Sequence, residues 1–162
     1  MKVPVVLRIA GLTLATTGFY TYVGQLVPQK EVLPPPAETV IAAEATPEQL
    51  VEVGRQIAEN KGICLTCHTI GQSGGALRFP DLAGVGARAE TRVPGLDGVA
   101  YLAQSLYEPD TFIVPGFAKG MPAISKPPIG LTHDEIKAVI AWLQSQGGTP
   151  TVTLATDLGY GG

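Results

Sequence analysis

The chain has 162 residues, room for one ordinary domain and an additional segment rather than two full domains. Hydrophobic residues make up 45% and charged residues 15%, which excludes charge-driven disorder, while 20 glycines and 14 prolines point to a loop-rich fold. A formal net charge of −3 without any Lys/Arg cluster leaves no surface for neutralising phosphates, so no nucleic acid partner is expected.

The first predicted element is a single transmembrane anchor over residues 1–27. Residues 9–24 carry no charge, and the apolar stretch reaches Val27 with Gln25 as its interruption, about 19 residues in all and enough for one bilayer crossing. Lys2 and Arg8 precede it, which sets the N-terminus in the cytoplasm and the rest of the chain outside, and Tyr20 and Tyr22 suit the outer interfacial belt. Removal as a signal peptide is the competing reading, but no small-x-small cleavage site follows the run. Gly11, Ala15 and Gly18 form a narrow ridge along which another transmembrane helix could approach. Residues 28–46, containing Pro34, Pro35 and Pro36, read as an extended tether of at most about 60 Å at a rise of roughly 3.1 Å per residue.

Residues 47–147 read as a helical unit with no convincing strand pattern. Thr46 and Gln49 make a capping box with Pro47 at the first helical position, and Leu50, Val53, Gly54, Ile57 and Ala58 share a face before the helix ends near Lys61 and Gly62. The only two cysteines follow, in Cys64-Leu65-Thr66-Cys67-His68. This C-x-x-C-H run is the attachment signature of c-type haem: each thiol can form a thioether with a vinyl group, and the adjacent imidazole can reach the iron. A redox-active C-x-x-C would need a βαβ context that is not visible, and a zinc site would need two further ligands, of which His133 alone is available besides His68. One motif and no internal repeat mean one covalently bound haem c, whose buried macrocycle supplements the core of a small domain.

Residues 71–94 read as loop. A second helix starts at Asp97 and Gly98, shows Tyr101, Leu102, Ser105 and Leu106 on one side, and stops before Pro109. Apart from the initiator, the only methionine is Met121, in a run bracketed by Gly116, Gly120 and Pro122. A core methionine sits on a periodic apolar stripe, so Met121 is the candidate second ligand to the iron. The alternatives are a gap-filling Met121 or ligation by His133, whose place at a helix start among Thr132, Asp134 and Glu135 suits a solvated role better. A soft thioether favours ferrous iron, so the pair His68 and Met121 raises the reduction potential and leaves no vacancy for substrate. The expected role is one-electron transfer, with no catalytic residues and no enzyme activity of its own. In the last helix Thr132 and Glu135 form a second capping box, and Ile136, Val139, Ile140 and Leu143 keep the helical period up to Gly147 and Gly148. Residues 148–162 read as a frayed end, with docking on a partner as the alternative.

With these elements placed, residues 47–147 resemble the class I cytochrome c family, an all-α fold around one covalent haem. The resemblance rests on Gly54 and Ile57 ahead of the C-x-x-C-H run and Thr69, on Pro80-x-Leu82-x-Gly84 with Arg88 beyond it, on Met121-Pro122, and on Trp142 in the last helix. It implies that the Pro80 carbonyl accepts a hydrogen bond from His68, that Arg88 faces a haem propionate, and that Gly54 and Trp142 mark the crossing of the first and last helices. Two departures stand out. Phe79 occupies the place where many members have glycine, and the lysine-rich docking rim is absent, since residues 31–162 hold 8 Lys/Arg against 14 Asp/Glu. Docking is therefore expected to be apolar, to a basic partner, or permanent.

The anchor, the segment 19–28 (FYTYVGQLVP) and the tether together resemble the membrane-anchored monohaem subunit of alternative complex III. That implies a single-pass protein of the inner membrane with its haem domain on the periplasmic side, partnered by other subunits of a quinol-oxidising respiratory or photosynthetic complex and by redox proteins. The rival expectations are a tethered shuttle to a terminal oxidase or reaction centre, and a haem gas sensor or peroxidase in which Met121 is labile.

Overall fold

An uncharged run free of proline favours one uninterrupted helix, and the computed structural model, which describes residues 3–27, 40–72 and 77–160, has one there. Helix α1 (Val5–Leu26) follows Pro4, whose missing N–H falls where a helix has no acceptor to offer. All of its Val, Leu, Ile and Phe side chains except the half-buried Val23 are exposed, and it buries no residue. Among the described residues no helix is long and apolar enough to cross a membrane. The transmembrane anchor expected over residues 1–27 is therefore not supported. The shortfall lies in composition: Arg8, four threonines, Tyr20, Tyr22 and Gln25 dilute the 22-residue helix. Most of the expected tether, residues 28–39, lies outside the described residues.

The chain divides into two compact units, residues 1–37 and 38–162. In the second, helix α2 (Pro47–Glu59) begins on the capping box: Gln49 N–H donates to Thr46 Oγ1 at 3.4 Å, and Thr46 N–H donates to Gln49 Oε1 at 2.9 Å. A 3-10 turn (Cys64–Thr66) follows, then α3 (Val85–Arg92), α4 (Gly98–Tyr107) and α5 (His133–Ser145). No strand occurs among the described residues, as the sequence pattern implied. Helix α5 is the centre of the core: Ile136, Ala138, Val139, Ile140 and Ala141 are completely buried, and α2, α3 and α4 all pack on it.

Two glycines set how closely the helices meet. A Cβ on Gly54 would lie 1.9 Å from the Ala138 carbonyl oxygen and 2.9 Å from Trp142 Cβ, so α2 crosses α5 backbone to backbone at the pair the sequence singled out. Gly86 does the same for α3, where a Cβ would fall 2.0 Å from the Gln144 carbonyl oxygen. Helix α3 corrects the expectation of a loop over residues 71–94. It spans eight residues, begins without a side-chain cap after Gly84 and carries few apolar residues, so its stability comes from packing against α4 and α5, which local pattern does not reveal.

The tail is a second correction. Residues 150–160 lie against the helical unit instead of fraying: Val152 and Leu158 are buried, the side-chain carbonyl of Gln144 accepts from the N–H groups of Thr151 and Val152, and the Lys137 ammonium donates to the Leu154 carbonyl. Gly54→Ala is expected to destabilise the domain by about 1–3 kcal/mol or more, through overpacking at the α2–α5 crossing. Denaturant unfolding of the haem-loaded protein measures this, with Gly11→Ala, whose Cβ meets nothing within 4 Å, as the neutral control. Equal midpoints for both variants would contradict the close crossing.

Candidate functional site

The 3-10 turn brings the cysteine motif into position. Ile63, with φ of 48°, is the one non-glycine residue in the left-handed region among the described residues, a costly conformation for a β-branched side chain that swings the chain out of α2. Cys67 and His68 both return their N–H groups to the Cys64 carbonyl, at 3.2 and 2.9 Å, so two residues between the thiols make one tight bend. Lys61 ties this bend to α5 through Glu135, whose carboxylate oxygens lie 2.7 and 2.8 Å from its ammonium. Burial pushes the Glu135 carboxyl up, but Lys61 and the Thr132 N–H outweigh it and hold the group below its ordinary value.

The His68 ring is oriented by Pro80. Its Nδ1 lies 2.8 Å from the Pro80 carbonyl oxygen, which can only accept, so Nδ1 carries the proton and Nε2 keeps a lone pair free for a metal. Asp81 organises the loop that holds this carbonyl. Its carboxylate accepts from the Thr69 hydroxyl at 2.7 Å and from the N–H groups of Ala83, Gly71 and Gln72 at 2.8, 3.0 and 3.0 Å. Leu82 adds a backbone bond to the Thr69 carbonyl, also at 2.8 Å, and the segment just after His68 is thereby closed on the Pro80 loop.

One open cavity gathers most of the residues singled out from sequence. Cys64, His68, Pro80, Arg88 and Met121 all line it; Cys67 is exposed and does not, and His133 lies elsewhere, with its Nδ1 2.6 Å from the Tyr107 hydroxyl. Burial raises the pKa of the free Cys64 thiol above its ordinary value. Met121 sits on a loop whose entry is shaped by Gly116 and Gly120, both at positive φ, and whose exit is pinned by buried Ile124, bonded to the Leu106 carbonyl at 3.1 Å. Arg88 donates Nη1 to the Ala83 carbonyl at 2.6 Å and Nη2 to the Asp81 carbonyl at 3.0 Å, so it braces the Pro80 loop as well as bordering the cavity.

Sequence reasoning missed two groups here. Phe79, noted as a departure, lines the cavity beside His68, their ring centres 6.1 Å apart, and lies 3.6 Å from where a Gly120 Cβ would stand, so it joins the two ends of the site. Asp81 was visible only as the variable residue between Pro80 and Leu82, with no local sign that it would collect four hydrogen bonds. The cavity fits a covalently attached haem on its own features. Leu82, Val85, Leu102, Phe112 and Ile113 supply apolar walls for a flat macrocycle, a thiol and an imidazole with a free Nε2 stand at one part of the wall, and a thioether stands at another.

The Thr69 hydroxyl first, then the three backbone donors, hold the Asp81 carboxyl down at about 2 against a modest opposing effect of desolvation. A carboxyl with a lowered folded pKa contributes stability above its unfolded pKa of about 3.9 and loses it as pH falls through about 2. Asp81→Asn is therefore expected to unfold more readily than wild type at neutral pH, with the gap closing between pH about 4 and about 2. A gap that stays constant over this range in pH-dependent unfolding would contradict the role given to the charge.

A family model described as Cytochrome c matches residues 51–147, more than half of the chain, and takes in most of α2, all of α3, α4 and α5, and the residues lining the cavity. No curated relative matches the chain. Together with the cysteine motif and the cavity it borders, the match shows that the chain belongs to the cytochrome c family and is an electron-transfer protein with covalently bound haem c and its iron, not an enzyme in itself.

Proposed function

We infer that the protein is a membrane-attached monohaem cytochrome that takes one electron from a reduced partner and passes it to an oxidised one, with no atom transferred and no bond broken. The observation that carries this reading is the single cavity that gathers the Cys64 thiol, the oriented His68 imidazole and the Met121 thioether. When bound, the haem supplies an iron that alternates between ferric and ferrous states by one electron. In this reading Cys64 and Cys67 carry the thioether links, His68 ligates through Nε2, and Met121 ligates through sulfur. Pro80 fixes the imidazole tautomer and makes the ring a better donor by accepting its other proton. The Met121 loop, pinned at Ile124, keeps the thioether from swinging away and so limits rearrangement between the two oxidation states.

Helix α1 supports attachment to a membrane complex more than a free shuttle. A helix with large apolar side chains exposed from Val5 to Leu26 calls for a partner to cover them. At 22 residues it is about 33 Å long, the thickness of a hydrocarbon core. Its polarity is low for a surface helix yet high for one facing lipid, a combination suited to the inside of a helix assembly. Thr13 and Thr16 turn their hydroxyls back to the carbonyls of Ile9 and Leu12, at 3.0 and 2.8 Å, which satisfies them without water. Gly11 and Gly18 leave the backbone open to a neighbouring helix. This fits a resident subunit of a quinol-oxidising complex such as alternative complex III, with the haem domain on the periplasmic side of the inner membrane.

Met121→Ala is expected to lower the reduction potential by at least about 60 mV, a tenfold shift in a one-electron equilibrium, to abolish the weak far-red absorption of an iron–thioether bond, and to admit carbon monoxide to the reduced protein. Unchanged potential and no gas binding would remove Met121 as ligand, whereas gas binding by the wild type would favour the sensor or peroxidase reading. Deleting residues 1–27 while supplying an independent export signal should release the haem domain from washed membranes. Co-purification of the full chain with other haem and iron–sulfur subunits in mild detergent would favour the resident subunit, and release as a monomer the shuttle.

A further inference from the structure

Residues 108–132, which carry Met121, contain no helix or strand, so the place of the thioether depends on how the ends of this segment are held. The segment leaves α4 after Tyr107 and enters α5 at His133. Those two flanking residues meet: the Tyr107 hydroxyl and His133 Nδ1 lie 2.6 Å apart, although 26 positions separate them in the chain. A third ring comes from the tail. The tail runs back along α5, held first by Gln144 and then by Lys137, and beyond them Tyr160 stacks on Tyr107 with ring centres 4.7 Å apart and planes 3° from parallel. The turn that aims Tyr160 is built by Asp157, whose carboxylate accepts from the Gly159 N–H at 2.9 Å, and by Gly159 itself at φ of 71°. The Tyr160 hydroxyl then donates to Glu108 at 3.2 Å, which catches the first residue of the methionine segment as well.

Seating the tail on the domain is the work of buried Val152 and Leu158; Tyr160 reaches past them to the end of α4. Tyr107 and His133 likewise meet where the methionine segment begins and ends, which gives His133 a partner far from the cavity. We propose that Tyr107, His133 and Tyr160 are positioning residues for the Met121 ligand, a clasp through which the tail sets how long the thioether stays on the iron. The assignment rests on ligation by Met121, as the proposed function has it. A segment with both ends fixed has fewer conformations that carry Met121 away from the cavity, so the clasp favours the bound ligand without touching the metal.

The test uses the full-length haem protein in detergent. Imidazole is added to the ferric form at rising concentration, and the saturating rate at which it replaces the thioether gives the rate at which Met121 leaves. Hydrogen exchange at the Ile124 and Leu131 amides, which bond to the Leu106 and Ile124 carbonyls, follows the segment independently of the metal. Tyr107→Phe keeps the stack and removes the hydroxyl, whereas Tyr160→Ala removes the stack. In each the saturating rate should rise by about 3- to 10-fold, the effect of losing one hydrogen bond or one aromatic pair, with faster exchange at both amides. Tyr160→Phe, which keeps the ring, should restore most of the wild-type rate, and Tyr107→Phe carries the test if Tyr160→Ala does not accumulate. Wild-type saturating rates in these variants, in a protein that shows the far-red thioether absorption, would overturn the proposal whatever the amides do. A wild type without that absorption would overturn ligation by Met121; the clasp on the segment then stands if exchange at Ile124 and Leu131 is faster in the variants and falls if it is unchanged.

Discussion

The imidazole proton shared between His68 and the Pro80 carbonyl is the interaction on which the remaining structure converges. A histidine has two ring nitrogens and can offer a lone pair from only one, so the carbonyl decides which nitrogen is free and which way the ring faces. Much of the surrounding architecture can be understood as holding that carbonyl still. Asp81 gathers the chain on both sides of it, Leu82 bonds back across to Thr69, and Arg88 reaches from α3 to tie down the Asp81 and Ala83 carbonyls. Helix α3 is in turn seated on α5 through the bare backbone of Gly86.

Electron transfer asks for little reorganisation, and the distribution of rigidity here answers that demand. The thiol-bearing bend is linked to α5 by the Lys61–Glu135 pair, and Glu135 also completes the cap of α5. One carboxylate thus connects the start of the longest-buried helix to the segment that carries Cys64 and His68. On the other side of the cavity, Ile124 bonds to Leu106 at the end of α4 and receives the N–H of Leu131 at 2.9 Å, so the methionine loop is closed at its base. Both ends of the site are fastened to the same bundle, although they come from separate and largely irregular stretches of chain.

What sequence could reveal follows from the range over which each signal acts. The capping boxes at Thr46 and Thr132, the period of α5 and the cysteine motif are carried by residues within a turn or two of each other, and the helices begin where those residues indicate. Gly54 and Trp142 could be paired because the resemblance supplied their relation. Helix α3 escaped, since eight residues with a glycine and few apolar side chains acquire their helicity from α4 and α5. The tail escaped for the same reason: Val152 and Leu158 have no helical period of their own, and only the surface they meet explains their burial. Asp81 illustrates the limit in the site itself, because a carboxylate with four donors is a fact of three-dimensional arrangement.

The contact between Gly54 and Ala138 also orders events during biogenesis. Its two partners come from opposite ends of the folded unit, so the entropy of gathering the intervening polypeptide must be met before either is rewarded. A growing chain presents Cys64 and Cys67 long before α5 exists, and Cys67 stays exposed even in the folded unit, so the thiols are open to chemistry both before and after the first and last helices meet.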